Sequence, residues 1–202
     1  MNAAGFVIAG GKSSRMGRDK AWLEIDGEPM IRRVIRAMEP VTANISIIAN
    51  GPEYASLGLP VFADSNVAIG PIEAIRNSLE HCSTDYALLV ACDMPFVTSD
   101  LLEFLLADPT GYEAVVPLDQ EGNLEPLCAV YSAGVLSAVT AIIKAGQRKP
   151  SLIYDLVKTR IVPFSEIEPL PGSALFFRNV NTPSDYLEAL EEFERGSTSI
   201  GH

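Results

Sequence analysis

Short apolar runs alternate along the chain with segments whose apolar residues recur at helical spacing. The runs 4–9, 45–49, 59–62 and 86–91 are rich in Val, Ile and Leu and predict buried strands, and 23–25, 114–117, 128–131 and 160–163 predict further strands. The helical spacing predicts helices that begin at Pro29, Pro71 and Thr98 or Ser99, and others over 133–145, 151–158 and from Pro183 to about Glu194. This alternation is typical of an α/β domain with a mostly parallel sheet covered by helices on both faces.

The pattern shows no internal repeat, linker or low-complexity segment, so we predict one domain over 1–195 and a flexible tail over 196–202. Hydrophobic residues make up 48% and charged residues 20% of the 202 positions, which is typical of a folded protein. No apolar run approaches the ~20 residues that span a bilayer, so we expect no membrane partner. The net charge of −11 argues against nucleic acid as a partner.

The three cysteines are Cys82, Cys92 and Cys128, which lie far apart and form no CxxC pair. They suit small buried residues in a reducing compartment better than disulfides or a zinc site. The N-terminus also lacks the basic start and cleavage site of a signal peptide. The expected location is therefore the cytoplasm.

Basic residues are concentrated directly after the first predicted strand. Four of the 15 basic residues fall within the nine positions from Lys12 to Lys20. Charge alone leaves two interpretations open, an anion site or a solvated basic loop. Gly10 and Gly11 favour the anion site, because glycines after a strand let backbone N–H groups approach a polyphosphate. Arg15 can grip two phosphate oxygens, and Lys20 supplies a compact positive charge.

The same segment does not form a P-loop. Gly11-Lys12-Ser13 matches the end of GxxxxGK[ST], but that motif requires glycine at the position of Phe6. Its loop would also use up residues 6–11, which the strand needs.

Polar residues follow other predicted strands, at the sheet edge where ligands bind in such folds. Asp93 comes after a strand that is apolar on both faces, and its carboxylate suits Mg²⁺, which is commonly held by one or two carboxylates plus phosphates. A helix cap is the alternative for Asp93, but Pro95 comes before any helix. Asn50 can read a base edge or hold a turn, and Asp64 can bind a ligand or form an Asx-turn.

Residues 8–20, IAGGKSSRMGRDK, resemble the signature LAGGxSxRMGxDK of the molybdenum cofactor guanylyltransferases, with Ile8 in place of Leu. The resemblance covers nearly the whole chain and implies a Rossmann-like nucleotidyltransferase domain of the nucleotide-diphospho-sugar transferase type. Four further segments agree in order and spacing: Ala49-Asn50, Asp64-Ser65 followed by Gly70-Pro71, Cys92-Asp93-Met94-Pro95, and Asn179-Val180-Asn181-Thr182-Pro183.

The resemblance implies transfer of GMP from GTP to molybdopterin or Mo-molybdopterin, with Mg²⁺ as cofactor and transient contact with molybdoenzyme maturation proteins. It implies catalytic roles for Arg15, Lys20 and Asp93, with Asp93 also binding the metal. The residues expected to contact the nucleotide are Ile8, Ala9, Gly10, Gly11, Lys20, Asn50, Asp64 and Asp93.

The acceptor side is less constrained by the sequence. Glu125 and Pro126 lie in a segment that resembles the lining of the family's pterin pocket. Arg148 and Lys149 can hold the acceptor phosphate at a helix start or form a solvated loop. Asn179 is a further acceptor candidate. Asn181 is one too, and it can also join Asp93 at the metal or hold a turn before Pro183.

The implied reaction needs no general base, because a phosphate oxygen of the acceptor is already an anion when it attacks the α-phosphorus of GTP. This suits a chain whose only histidines are His81 and His202. Related chemistry with CTP or a sugar phosphate is the nearest alternative. A non-catalytic nucleotide-binding module is another, although such a module has no need to keep both Lys20 and Asp93.

Overall fold

The computed structural model describes residues 2–9, 19–63 and 70–199. Four of the predicted site residues, Gly10, Gly11, Arg15 and Asp64, lie outside these ranges. The flexible tail predicted over 196–202 lies partly outside these ranges and stays a prediction.

Strands that are rich in β-branched and other apolar residues form the centre of the molecule. Over the described ranges, they build a seven-stranded sheet in the order β5-β4-β1-β6-β8-β7-β9 and a small separate hairpin of β2 and β3. The strands are β1 (Ala3–Ile8), β2 (Glu24–Ile25), β3 (Glu28–Pro29), β4 (Asn44–Ile48), β5 (Val61–Phe62), β6 (Tyr86–Ala91), β7 (Ala114–Pro117), β8 (Cys128–Ser132) and β9 (Thr159–Val162). Only β8 runs antiparallel to its neighbours in this sheet, so the prediction of a mostly parallel sheet is confirmed.

The helices connect these strands and lie on both faces of the sheet. They are α1 (Met30–Met38), α2 (Pro71–Glu80), α3 (Ser99–Leu106), α4 (Leu136–Lys144), α5 (Ser151–Tyr154), α6 (Phe164–Ile167) and α7 (Pro183–Ser199). Short 3₁₀ helices cover Lys20–Trp22, Pro52–Leu57, Ala133–Val135 and Ser173–Leu175. Thr98 is the N-cap of α3, and its side chain accepts a hydrogen bond from Leu101 N.

Two helices differ in length from the sequence prediction. The helix predicted over 151–158 ends at Tyr154, because Lys158 already pairs with Glu113, the residue before β7. Glu113 N donates a 2.7 Å hydrogen bond to Lys158 O, and Lys158 N donates a 3.0 Å hydrogen bond to a carboxylate oxygen of Glu113. Helix α7 continues past Glu194 to Ser199. Arg195 stabilises this extension through ion pairs with Glu191 and Glu192, one turn earlier on the same helix.

The alternation of side chains along β1 explains why both sheet faces are buried. Val7 packs in a core with residues of α1 and α3, whereas Phe6 packs on the other face with residues of α2 and α4. A smaller cluster joins α7 to the hairpin and to the start of α1; its buried members are Ile25, Met30, Val180 and Ala189. This third cluster carries the C-terminal segment to the sheet edge where the site lies.

No helix in the described ranges is long and apolar enough to cross a lipid bilayer.

Candidate active site

The carboxyl ends of the central parallel strands meet at one edge of the sheet. Ile8 at the end of β1 is in register with Ile48 of β4 and with Ala91 of β6. Beyond the strand ends, Cys92 N donates a 2.9 Å hydrogen bond to Ile8 O, which holds the turn after β6 against β1. Asp93 therefore emerges beside the end of β1, as its position after a buried strand predicts.

A cluster of one cation and two oxygen-bearing side chains lies at this edge. The Lys20 ammonium donates to a carboxylate oxygen of Asp93 and, at 3.0 Å, to the amide oxygen of Asn181. The Lys20 and Asp93 side chains are only 20% and 15% exposed. Lys20 and Asn181 are separated by 161 positions in the chain, so the tertiary fold alone brings them together.

The start of α7 presents Asn181 to this cluster. Val180 N donates a 2.9 Å hydrogen bond to Asp93 O, which docks the segment against the turn after β6. The Asp185 carboxylate accepts hydrogen bonds of 2.8 Å from the backbone N–H groups of Asn181 and Thr182, while Thr182 Oγ1 accepts from Asp185 N. This reciprocal pattern is a capping box. The hydrogen bond from the Asn181 backbone is the main cause that lowers the pKa of Asp185.

The 3₁₀ helix Lys20–Trp22 holds the lysine in place. Asp19 is its N-cap, with φ −67° and ψ 118°, and its carboxylate accepts a hydrogen bond of 3.1 Å from Ala21 N. Ala21 is fully buried, which anchors the turn in the core of the α1 face. The sequence analysis missed this turn, because three residues are too few to show a helical period.

The donor set of the cluster fits Mg²⁺. Asp93 and Asn181 offer hard oxygen atoms that already converge on one positive charge, the Lys20 ammonium. No group of three or more His, Cys, Asp or Glu residues that could hold a metal occurs within the described part of the chain. The two oxygen ligands of Asp93 and Asn181 suit a cation that completes its coordination with substrate phosphates and water, as Mg²⁺ commonly does.

Three of the predicted nucleotide contacts can be placed near this edge. Ile8 and Ala9 have buried side chains, at 5% and 8% exposure, so they offer a ligand little more than backbone and a small apolar surface. Asn50 is exposed two residues after the end of β4, before Gly51, whose φ of 147° is unfavourable for other residues. Both interpretations of Asn50, a base contact and a turn residue, are compatible with this position.

The segment with Glu125 and Pro126 faces the same edge. Glu125 N donates a 3.0 Å hydrogen bond to Pro117 O at the end of β7. Burial, followed by the negative charges of Asp119, Asp93 and Glu121, raises the pKa of Glu125 to about 7. Ala91 N donates a 2.8 Å hydrogen bond to Leu127 O, so this segment also lies beside the end of β6, before Asp93.

Two tyrosines hold that segment in place through hydrogen bonds. Tyr131 donates a 2.8 Å hydrogen bond to Pro126 O, and its hydroxyl lies 2.9 Å from that of Tyr154 on α5. Tyr131 is fully buried in the core of the α2 face. The position of Pro126 is thus fixed by a hydrogen-bonded pair of side chains.

The other acceptor candidates are less closely tied to the cluster. Asn179 donates its amide to Phe177 O at 3.3 Å. Arg148 and Lys149 are exposed in the turn between α4 and α5. The helix that follows them has only four residues and offers little dipole to an anion. A role for these three residues at the acceptor stays a prediction.

Comparison with known proteins identifies the family. A family model described as a MobA-like NTP transferase domain matches residues 5–159. A probable molybdenum cofactor guanylyltransferase from Pelotomaculum thermopropionicum is 37% identical over 98% of this chain and 97% of its own length. The molybdenum cofactor guanylyltransferase of Vibrio vulnificus is 34% identical over 89% of this chain and 90% of its own.

A solved structure supports the fold. The molybdopterin-guanine dinucleotide biosynthesis protein A of Archaeoglobus fulgidus superposes with a TM-score of 0.80 at 24% identity, over 95% of this chain and 99% of its own. Together with the sequence matches, the shared sheet confirms the resemblance carried by the first loop. The chain belongs to the molybdenum cofactor guanylyltransferases, a family with the MobA-like NTP transferase domain.

Proposed function

We propose that this protein transfers GMP from GTP to the terminal phosphate of molybdopterin, with Mg²⁺ as cofactor and pyrophosphate as the second product. The observation that carries the proposal is the convergence of Lys20, Asp93 and Asn181 at the carboxyl edge of the sheet. Ligands of open α/β sheets bind at this edge. The family membership supports guanine as the base and molybdopterin as the acceptor.

In the proposed reaction, a phosphate oxygen of the acceptor forms a bond to the α-phosphorus of GTP. The bond from the α-phosphorus to the bridging oxygen of the β-phosphate breaks, and pyrophosphate leaves with that oxygen. The nucleophile is an anion before it attacks, so no side chain needs to remove a proton. Catalysis then depends on holding two anionic reactants together and neutralising the charge that develops between them.

Different residues of the proposed site bind the metal, supply positive charge and contact the acceptor. Asp93 and Asn181 would hold the metal, which supplies positive charge to the phosphates when it is bound. Lys20 supplies a second positive charge beside them, and Arg15 is expected to add a third from the basic loop. Glu125 and Pro126, in the segment that is hydrogen-bonded to the ends of β6 and β7, are the candidates for the pterin side of the acceptor.

Base selectivity follows from the shape and hydrogen bonding expected of a guanine site. Guanine and cytosine differ in size and in their hydrogen-bonding edges, so a pocket built for one leaves buried polar groups unpaired with the other. Discrimination of this kind reaches about 10⁴-fold when a site is built around such hydrogen bonds. We expect GTP to react well ahead of CTP and ATP.

Pyrophosphate release with each of the four nucleoside triphosphates, with and without molybdopterin, tests the proposal. Rapid release is expected only when GTP, Mg²⁺ and molybdopterin are all present. Faster release with CTP would overturn the base assignment and leave nucleotidyl transfer standing. Absence of release with every nucleotide in the presence of molybdopterin would contradict the proposed activity itself.

A further inference from the structure

Tyr54 places a hydroxyl group in the apolar core next to the site. It lies in the 3₁₀ helix Pro52–Leu57, which follows β4, and its side chain is fully buried. The Tyr54 ring lies 5.7 Å from the ring of Trp22, measured between centroids, at an interplanar angle of 40°. A phenylalanine would fill the same space without burying a polar atom, so packing alone gives no reason for the hydroxyl.

The hydroxyl has two acceptors, and they come from different parts of the chain. Tyr54 Oη donates to a carboxylate oxygen of Asp19 and lies 3.1 Å from Ala9 O. Its single proton is shared between the two acceptors, and the carboxylate is the stronger of them because it is charged. Burial, followed by the hydrogen bond to Asp19, raises the pKa of Tyr54, so the phenol remains a neutral donor throughout the physiological range.

These two acceptors flank the segment that carries the family signature. Ala9 immediately precedes residues 10–18, and Asp19 immediately follows them. One hydroxyl therefore contacts both ends of the segment from which the phosphate contacts of Gly10, Gly11 and Arg15 are predicted.

The contact with Asp19 also reaches Lys20. One oxygen of the Asp19 carboxylate accepts from Tyr54, while the other accepts from Ala21 N in the turn that carries the lysine. Lys20 then extends from that turn to Asp93 and Asn181. Hydrogen bonds thus link the buried phenol to the turn whose backbone carries Lys20.

We propose that Tyr54 is a positioning residue, which holds Lys20 and the ends of the signature segment through its hydroxyl contacts with Asp19 and Ala9. The inference rests on the proposed function, since the value of a fixed Lys20 lies in guanylyl transfer. Small displacements of a catalytic group can cost up to about 10²-fold in rate. Loss of the hydroxyl should therefore lower turnover while leaving the core packed.

The test compares Tyr54→Phe with Tyr86→Phe, a matched removal of a hydroxyl elsewhere. Tyr86 begins β6, at the opposite end from Asp93, and donates a 3.4 Å hydrogen bond to Pro109 O. We expect Y54F to lower kcat for GTP about 10-fold or more while the protein still unfolds in one cooperative transition. Y86F should keep the wild-type kcat.

A double variant separates a shared pathway from two independent effects. Asp19→Ala removes the charged acceptor of the Tyr54 hydroxyl, through which the turn is held, so Y54F combined with D19A should be about as slow as D19A alone. Hydrogen exchange at the Ala21 amide reports on the same connection without substrate. That amide should exchange about 10-fold faster in Y54F than in wild type, and at the wild-type rate in Y86F.

Several results would overturn the positioning role. They are a wild-type kcat in Y54F, multiplicative losses in the double variant, and Ala21 exchange that is the same in Y54F and wild type. A wild-type protein that fails to transfer GMP would instead contradict the proposed function, while the Ala21 exchange still decides whether Tyr54 fixes the turn.

Discussion

Replacement of Asp93 by asparagine offers the sharpest test of the site. The substitution keeps the shape of the side chain and one oxygen that can accept from Lys20, but it removes the negative charge. Asp93 O accepts from Val180 N through the backbone, and D93N leaves this contact intact. The variant therefore changes the charge of the cluster with little change in how its parts are assembled.

The structure indicates a large effect on rate and a small one on stability. The Lys20–Asp93 pair is largely shielded from solvent, at 20% and 15% exposure, but the asparagine oxygen can still accept from Lys20, so we expect the unfolding free energy to fall by about 1–2 kcal/mol. Asp93 would act on the anionic transition state through the metal that it holds, and electrostatic stabilisation of this kind is worth about 10²–10³-fold in kcat. Loss of a metal ligand acts in the same direction. We expect D93N to fold and to lose at least about 10²-fold in kcat.

The assay is steady-state pyrophosphate release with GTP and molybdopterin at a series of Mg²⁺ concentrations, together with urea unfolding. Asp108→Asn is the matched control, because Asp108 is an exposed aspartate after α3 whose carboxylate accepts from Thr110 N. D108N should keep the wild-type rate. A D93N protein that reaches the wild-type rate at saturating Mg²⁺ would refute the role of Asp93 as metal ligand and catalytic residue.

Two further predictions concern the charges around this cluster. Lys20→Ala and Arg15→Ala should each lower kcat/KM for GTP about 10²-fold, as loss of an electrostatic stabiliser does, and full activity of both at limiting GTP would contradict a phosphate-binding loop. The pKa of Glu125 is raised to about 7, so the folded protein retains a proton that the unfolded chain releases near 4.5. The unfolding free energy of wild type should therefore fall relative to that of Glu125→Gln as pH rises from about 4.5 to about 7, by about 1–2 kcal/mol after allowance for solvent screening. Urea titrations at several pH values measure this fall in unfolding free energy. Glu103→Gln removes an exposed carboxylate and is the control. If the unfolding free energy of wild type fell equally relative to that of Glu103→Gln, the effect would not come from Glu125.

The sequence predicted the fold well where the local pattern determines the structure. Unbroken apolar strands such as 86–91 and helices that begin at Pro71 or after Thr98 are confirmed with small shifts at their ends. Strand direction is different, because side-chain periodicity is the same whichever way a strand runs. The antiparallel course of β8 was therefore invisible in the pattern of residues 128–131.

The site shows the same division between local and long-range information. The position of Asp93 at the sheet edge was accessible to prediction because it comes just after a buried strand. Asn181 was ambiguous, since an Asn before Thr-Pro suits a turn as well as a ligand site. The structure shows that Asp185 and Thr182 cap α7, which leaves the Asn181 amide oxygen for Lys20. Tyr54 gave no local signal, because both of its acceptors are distant in sequence.

The C-terminal helix belongs to the site as much as the strands do. The family model ends at residue 159, before Asn181, yet α7 is held to the sheet edge by specific contacts. Val180 and Ala189 are fully buried against Ile25 and Met30, and Tyr186 donates a 2.6 Å hydrogen bond to Glu24 O of the hairpin. The same hairpin leads from the Lys20 turn into α1. Docking of α7 on it therefore sets the position of Asn181 relative to Lys20, and the cluster is complete only when both ends of the chain have packed on the sheet.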